Sequence, residues 1–370
     1  MAVDAPASKS MTLALEDGAL FRGEGFGAQA PVAGEVVFNT SMTGYVEALT
    51  DPSYAGQILV LTYPLVGNYG VVPRSSVHQS SRIQVQGLVT QHLSRHFSHH
   101  LASRSLEDWL ASEGLPILSG IDTRTLTQRL RERGTMQGWL YPSEMSLTEA
   151  RQAAAALEMR SAVFARVAPE AISTHGDGDL RIVLVDVGAK DGIVQCLTER
   201  GARVARVPWH QDFLAEAREA DGVIIGNGPG DPQDLDAVVQ RLHALIGSFK
   251  GPIFGVCLGH QLLARAAGFE TYKLRYGHRG SNQPVRDIQT GRCYVTSQNH
   301  GYAVEQTRCP ENWEPWFVNL NDGTNEGIRM KGRPVFSVQF HPEGRPGPTD
   351  TEFLFDEFLA LAGSLRAART

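Results

Sequence analysis

Cysteine is scarce in this chain. Four occur in 370 residues, Cys196, Cys257, Cys293 and Cys309, and no two stand in C-x-x-C spacing. That argues against a disulfide framework and a thiolate zinc site, and it fits a reducing compartment. Long apolar runs are missing too: none approaches the roughly 18 residues of a membrane span. Charge of one sign is weak. Lys+Arg number 34 against Asp+Glu 40, a net charge of −6, neither the strength nor the sign of a nucleic-acid-binding surface. The opening MAVDAPASKS has no apolar core, so no secretory signal is expected and residues 1–10 read as disordered. A cytoplasmic protein without membrane or nucleic-acid partners is the expectation. No G-x-x-x-x-G-K-[ST] phosphate loop is present. What is present is an ordinary globular balance, 42% hydrophobic and 20% charged, with 38 glycines and 19 prolines that imply many turns. At roughly 150 residues per domain the length suggests two or three domains.

The first half predicts a mixed α+β domain over 11–167. Residues 11–15 alternate toward a strand, Glu16-Asp17-Gly18 reads as a turn, and 19–22 as the returning strand. Further strands are predicted at 36–39, 57–63 and 83–90. Helices are predicted at 106–112, at 123–133 with Asp122 as N-cap and Gly134 as stop, and at 146–159. Residues 168–180, APEAISTHGDGDL, cluster Pro, Ser, Thr, Gly and Asp without an apolar period, and read as a linker. From 181 to 370 strands and helices alternate: strands at 181–187, 203–207, 223–225 and 252–256, helices at 193–200, 235–246 and 258–267. Strands at 293–297, 316–319 and 335–339 and a helix at 351–361 follow. The order predicts an α/β domain, a mainly parallel sheet flanked by helices.

Three stretches carry chemistry. In Pro252-Ile-Phe-Gly-Val-Cys257-Leu-Gly-His-Gln261 a strand delivers a cysteine between Gly255 and Gly259 at the start of a helix. This is the thiol form of a nucleophile elbow. The helix N-terminus favours negative charge on sulfur, and the Leu258 N–H would face a developing oxyanion. Phe336-Ser-Val-Gln-Phe-His341-Pro-Glu343 supplies a strand-end base, with Glu343 placed to orient the imidazole. Ile225-Gly-Asn-Gly-Pro-Gly-Asp-Pro232 is a rigid loop whose amides can donate to a carbonyl oxygen. Asn227 and Asp231 within it read as turn-formers bonding their own backbone. His92, His96 and His100 fall at helical spacing with His99 adjacent. They read as a polar surface face, and no metal is expected there.

Taken together, G-V-C-L-G-H-Q, N-G-P-G-D-P and Q-F-H-P-E resemble a class I glutamine amidotransferase domain, which implies a flavodoxin-like fold. The stretches at 34–54, 61–70 and 119–127, with 186–193, 276–285 and 297–304, resemble the small subunit of carbamoyl-phosphate synthase. The resemblance spans residues 11 to 360. It implies Cys257 as nucleophile, His341 as base and Glu343 as its orienting acid. It implies backbone contacts of Gly228, Gly230 and Leu258 with L-glutamine and a side-chain contact from Gln261. Asn299, Gly301 and Tyr302 would hold the substrate's amino-acid end, and Ser53, in D-P-S-Y, would contact glutamine across the domain boundary. Ser41, Val46 and Tyr302 depart from the family's usual residues, as does 91–100.

The resemblance further implies a glutaminase that passes ammonia to a large subunit. That partner would use ATP, Mg and bicarbonate to make carbamoyl phosphate for arginine and pyrimidine synthesis, in a heterodimer or higher assembly. No cofactor is expected on this chain itself. Three other classes compete with this reading: another amidotransferase's glutaminase, a thiol hydrolase or peptidase, and a non-catalytic docking subunit. The first would lack the N-terminal motifs. The second has no need of N-G-P-G-D-P, and the third would be expected to lose Cys257 or His341.

Overall fold

A computed structural model describes residues 9–74, 77–155 and 163–368. The chain divides into two compact units, 1–160 and 161–370. The expectation of disorder over 1–8 lies outside the described residues. Lys9 and Ser10 already belong to the first strand.

In the first unit seven strands close into a barrel: Lys9–Leu15, Leu20–Gly27, Pro116–Ser119, Gly87–Val89, Gln57–Leu61, Val32–Asn39 and Met136–Pro142, which pairs back onto the first. The opening hairpin forms as its turn residues require. Gly18 takes φ 88°, and the Ala19 N–H donates to Asp17 Oδ1 at 3.1 Å. The run Ile58-Leu-Val-Leu61 is apolar at every position because both faces of the strand are covered. Leu59 and Leu61 pack with Leu49, Leu106, Trp109 and Leu110 from the helices Tyr45–Thr50 and Leu106–Ser112. Ile58 and Val60, on the opposite side, are also fully buried. Helix Thr123–Arg133 starts at Asp122, whose Oδ1 accepts the Thr125 N–H at 2.9 Å, and stops at Gly134 with φ 98°. The predicted helix at 146–159 is seen over Leu147–Ala155, and its last residues lie outside the described ones.

The second unit is built on one ten-stranded sheet. Five parallel strands run in the order Ala202–Pro208, Leu180–Asp186, Gly222–Ile225, Ile253–Val256, Val335–Val338. In chain order this is 2-1-3-4-5, the doubly wound arrangement in which ligands meet the carboxyl ends of the strands. Helices Asp191–Glu199, Asp236–Ser248, Leu258–Ala267 and Phe353–Ala367 accompany the parallel strands. Ile182, Leu184, Ile224, Phe254, Val256, Val338, Phe355 and Phe358 share one core cluster. Beyond Val335–Val338 the sheet turns antiparallel through Asn325–Met330, Trp313–Asn319, Thr271–Asp287 and Cys293–Val304.

The segment expected as a linker is structured in part. Ser173–His175 pairs antiparallel with Ala202–Pro208 as the sheet's edge strand. Ahead of it, helix Val163–Val167 belongs to the second unit, with Phe164 buried and edge-on to Trp209. Turn-rich composition marks short connections there, and the two compact units divide at 160/161. No described helix is long and apolar enough to cross a membrane.

Candidate active site

Cys257 sits between the strand Ile253–Val256 and the helix Leu258–Ala267, at φ 54° and ψ −105°. It is the only non-glycine at positive φ among the described residues. Holding such a backbone costs about 1–3 kcal/mol, and the surroundings over-determine it. Its N–H donates to Val338 O at 2.9 Å. Glycine is required on both sides by close approach. A Cβ on Gly255 would lie 2.6 Å from Gly259 O, and one on Gly259 would lie 2.1 Å from Ile225 O. The helix is thus pressed against the neighbouring strand, and the thiol is raised over the sheet's carboxyl edge. The helix end places positive potential at sulfur. Cys257 Sγ has Asn299 O at 3.7 Å and Gln339 Nε2 at 3.8 Å.

His341 follows the neighbouring strand Val335–Val338, and its N–H donates to Ser297 O at 2.9 Å. Nδ1 lies 2.7 Å from Glu343 Oε1, while the buried Nε2 has no hydrogen-bond partner. That is the arrangement of a base whose second nitrogen is held by a carboxylate. Lys190 completes it, with Nζ 2.9 Å from the same Glu343 oxygen. Lys190, His341 and Glu343 are all buried. Burial opposes the imidazolium, and Lys190 pulls the same way, but the Glu343 charge together with the Cys257 sulfur outweighs them and lifts His341 to about 10. Burial likewise opposes the Glu343 carboxylate, yet Lys190 and His341 hold it far below the carboxylate range. Glu343 is therefore a fixed negative charge.

Lys190 was not singled out from the sequence. It ends a turn locked by Asp186, whose Oδ1 accepts the Gly188 and Ala189 N–H groups at 2.7 and 2.8 Å. Arg206 pairs with Asp186 and donates to Ala189 O. A lysine just past an apolar strand, in a turn of small residues, was the available signal, because lysine is rarely buried without a partner.

The Gly226–Pro232 loop packs beside this turn. A Cβ on Gly228 would lie 2.2 Å from Val187 O, and Gly230 has φ 83° with the Phe164 ring over it. Asp231 forms the expected local turn, accepting the Gln233 N–H at 2.9 Å. Asn227 Oδ1 accepts the Lys190 N–H at 2.9 Å, tying the two loops together. Leu258 is the first residue of its helix, where helical bonding leaves N–H groups unpaired.

Asn299, Gly301 and Tyr302 lie on the strand Cys293–Val304, which reaches the nucleophile through Asn299 O. Gln261 Nε2 donates to Tyr302 O at 2.9 Å and to Gln339 Oε1 at 3.1 Å. Every candidate of the second unit is therefore connected to the Cys257 neighbourhood through adjacent loops or strands. Ser53 belongs to the first unit, buried in the turn Pro52–Tyr54, where its N–H donates to Asp51 Oδ1 at 2.9 Å.

The helical spacing of His92, His96 and His100 is not realised. His92 is in the short strand His92–Leu93, and the others are exposed on irregular chain. A different trio, His278, His300 and Glu326, converges inside the second unit. Asn319 Nδ2 donates to Glu326 Oε1 at 2.9 Å and lies 3.5 Å from His278 Nδ1, so an amide donor occupies the space a cation would need. His278 Nε2 meets Asp322 Oδ2 at 2.9 Å. Burial opposes its charge, but Asp322 and Glu326 raise it to about 9. His300 is kept neutral by burial and by the His278 charge.

The family model "Carbamoyl-phosphate synthase small chain, CPSase domain" matches residues 13–140, and "Glutamine amidotransferase class-I" matches 183–361. The chain is 42% identical over 373 residues to the carbamoyl phosphate synthase arginine-specific small chain of Aspergillus fumigatus, covering 98% of this chain and 82% of that one. With the protein of the same description from Aspergillus niger the identity is 43% over 363 residues, covering 96% and 80%. With the multifunctional protein pyr-3 of Neurospora crassa it is 44% over 398 residues, covering 96% of this chain and 21% of that protein. The chain spans about a fifth of the length of such multifunctional relatives.

Proposed function

The chain belongs to the carbamoyl-phosphate synthase small-chain family, and from that premise we propose that it is the glutaminase subunit of a glutamine-hydrolysing carbamoyl-phosphate synthase. The observation that carries the reading is the buried Cys257, His341, Glu343 and Lys190 set at the carboxyl edge of the parallel sheet. Its geometry suits acyl transfer through sulfur. His341 Nε2 takes the thiol proton, and Sγ attacks the side-chain amide carbon of L-glutamine. N–H groups of Leu258 and of the Gly228–Gly230 loop receive the oxyanion. His341 returns the proton to the leaving ammonia, then activates water to cleave the γ-glutamyl thioester. Glutamate and ammonia result. Glu343 keeps the imidazole oriented throughout, and Lys190 keeps Glu343 ionised. Asn299, Gly301 and Tyr302 line the path for the substrate's amino-acid end, Gln261 offers a side-chain contact beside the nucleophile, and the role of Ser53 rests on its motif.

Ammonia released into water protonates and is lost as a nucleophile, so this product calls for sheltered delivery. In this proposal the partner is a carbamoyl-phosphate synthase large chain that uses ATP, Mg and bicarbonate. This chain itself holds no cofactor, acts in the cytoplasm, and serves arginine and pyrimidine synthesis. The match of the first unit to the small-chain domain favours this over the glutaminase of another amidotransferase. The test is a glutaminase assay with and without a large chain. Glutamate release should rise on docking and vanish in Cys257→Ser. Full glutamine-dependent activity in that variant would refute the mechanism.

A further inference from the structure

Beside the His341 imidazole, sulfur in this site meets two further polar groups of opposite character, and of these two only one is suited to a thiolate. Asn299 O at 3.7 Å can accept from the neutral S–H but repels a negative sulfur. Gln339 Nε2 at 3.8 Å can donate to the negative sulfur. We propose that Gln339 is a further catalytic residue, whose side-chain amide donates a hydrogen bond to Cys257 Sγ when the thiol proton has passed to His341.

The orientation of that amide follows from a chain of obligatory partners. Tyr302 O is a carbonyl and can only accept, so the Gln261 atom 2.9 Å away is Nε2. The same Nε2 has a second hydrogen, and Gln339 Oε1 lies 3.1 Å from it. Gln339 Oε1 is thereby committed, and its NH2 group is left facing sulfur. Exchanging O and N in Gln339 would set donor against donor at Gln261. Exchanging them in Gln261 would set acceptor against acceptor at Tyr302. The backbone is fixed as well, since the Gln339 N–H donates to Glu326 O at 2.9 Å, and the residue is completely buried.

The amide therefore acts at two points of the reaction. It meets the charge on sulfur as the proton leaves for His341 Nε2, and again when the γ-glutamyl–sulfur bond breaks and thiolate departs. In the thiol and thioester states sulfur carries no charge, and the amide contributes less. Gln339 thus favours the charged states of sulfur over the neutral ones.

The test reads the thiolate directly and needs no turnover, so its outcome is separate from that of the glutaminase assay. Alkylation of Cys257 by iodoacetamide is followed against pH on the full chain. Peptide mass spectrometry separates Cys257 from the exposed Cys293 and the half-buried Cys309. In Gln339→Met, similar in size but without a donor, the alkylation midpoint should move up by about one pH unit, an about tenfold loss of thiolate at neutral pH. Glutaminase kcat should fall by a similar factor with KM changed much less. A second measurement uses wild type, where no variant can misfold. With glutamine residues labelled in their side-chain nitrogen, the Gln339 amide resonance should shift as Cys257 ionises. An unmoved midpoint in a folded Gln339→Met chain, or an amide resonance indifferent to the titration, would overturn the proposal.

Discussion

Gly259→Ala is the substitution in which packing and chemistry are most tightly coupled. The added methyl would sit 2.1 Å from Ile225 O, 2.7 Å from Ile225 C and 3.0 Å from Gly226 O, all of them backbone of the adjacent strand and loop. No rotamer change relieves that clash, so the helix Leu258–Ala267 must move away from the sheet by roughly an ångström. Overpacking of this kind costs about 1–3 kcal/mol of stability. The shift begins two residues from Cys257 and carries the Leu258 N–H with it. A displacement of about 1 Å of reacting groups costs about a hundredfold in rate. Gly247→Ala is the control. This glycine lies exposed in the helix Asp236–Ser248, and its added methyl would meet nothing within 4 Å. There alanine should stabilise by up to about 0.5–1 kcal/mol through helix propensity and leave activity alone. Urea unfolding and steady-state glutaminase kinetics on both variants make the comparison. Near-wild-type kcat and stability in Gly259→Ala would refute the claim that close helix–strand contact holds the nucleophile.

Three further outcomes follow from the same geometry. Lys190→Met removes one partner of a buried pair and should cost about 3–5 kcal/mol in urea unfolding, nearer the lower figure because His341 still faces Glu343. Since Lys190 pulls the His341 pKa down, its loss should also move the acid limb of the kcat/KM profile to higher pH; an unmoved limb would contradict the assigned electrostatics. His278 is raised from 6.5 to about 9 on folding, against burial, by Asp322 and Glu326, so its contribution to stability is complete below about pH 6.5 and lost as pH rises through about 9. Calorimetric melting of wild type and His278→Asn should therefore converge as pH is raised, and a constant gap would contradict it. Asp122→Ala deletes the N-cap of Thr123–Arg133 and should lower the denaturant midpoint without changing glutamine kinetics, and an unchanged midpoint would contradict the cap.

The parallel core was legible because its signals are local. Short apolar strands alternate with helices stopped by Gly201 and Gly268, and the elbow glycines flank Cys257. The long hairpin Thr271–Asp287 with Cys293–Val304 was only glimpsed, at 293–297. Register shifts between Lys273 and His278 and between Gly280 and Gln283 interrupt its period of two, and its buried positions are largely polar. Asn325–Met330 was missed for a similar reason, since Asn325 and Glu326 are buried polar residues. In the site, Cys257, His341, Glu343 and the 226–232 loop are recognisable in the sequence by residue type and motif. Lys190, Asn227 and Gln339 are placed by partners distant in sequence, Glu343, Lys190 and Gln261, and only the assembled ten-stranded sheet brings those pairs together. The turn composition of 168–180 is a local signal, whereas the packing of Phe164 on Trp209 joins residues distant in sequence.

The central claim is that glutamine passes through a covalent bond to Cys257. Rapid quenching of the chain with labelled glutamine in acid, followed by peptide mass spectrometry, tests it most directly. A γ-glutamyl adduct on the Cys257 peptide, absent in Cys257→Ser, is the result the structure predicts. Glutamate release with no adduct on Cys257, or with the label on another residue, would contradict it.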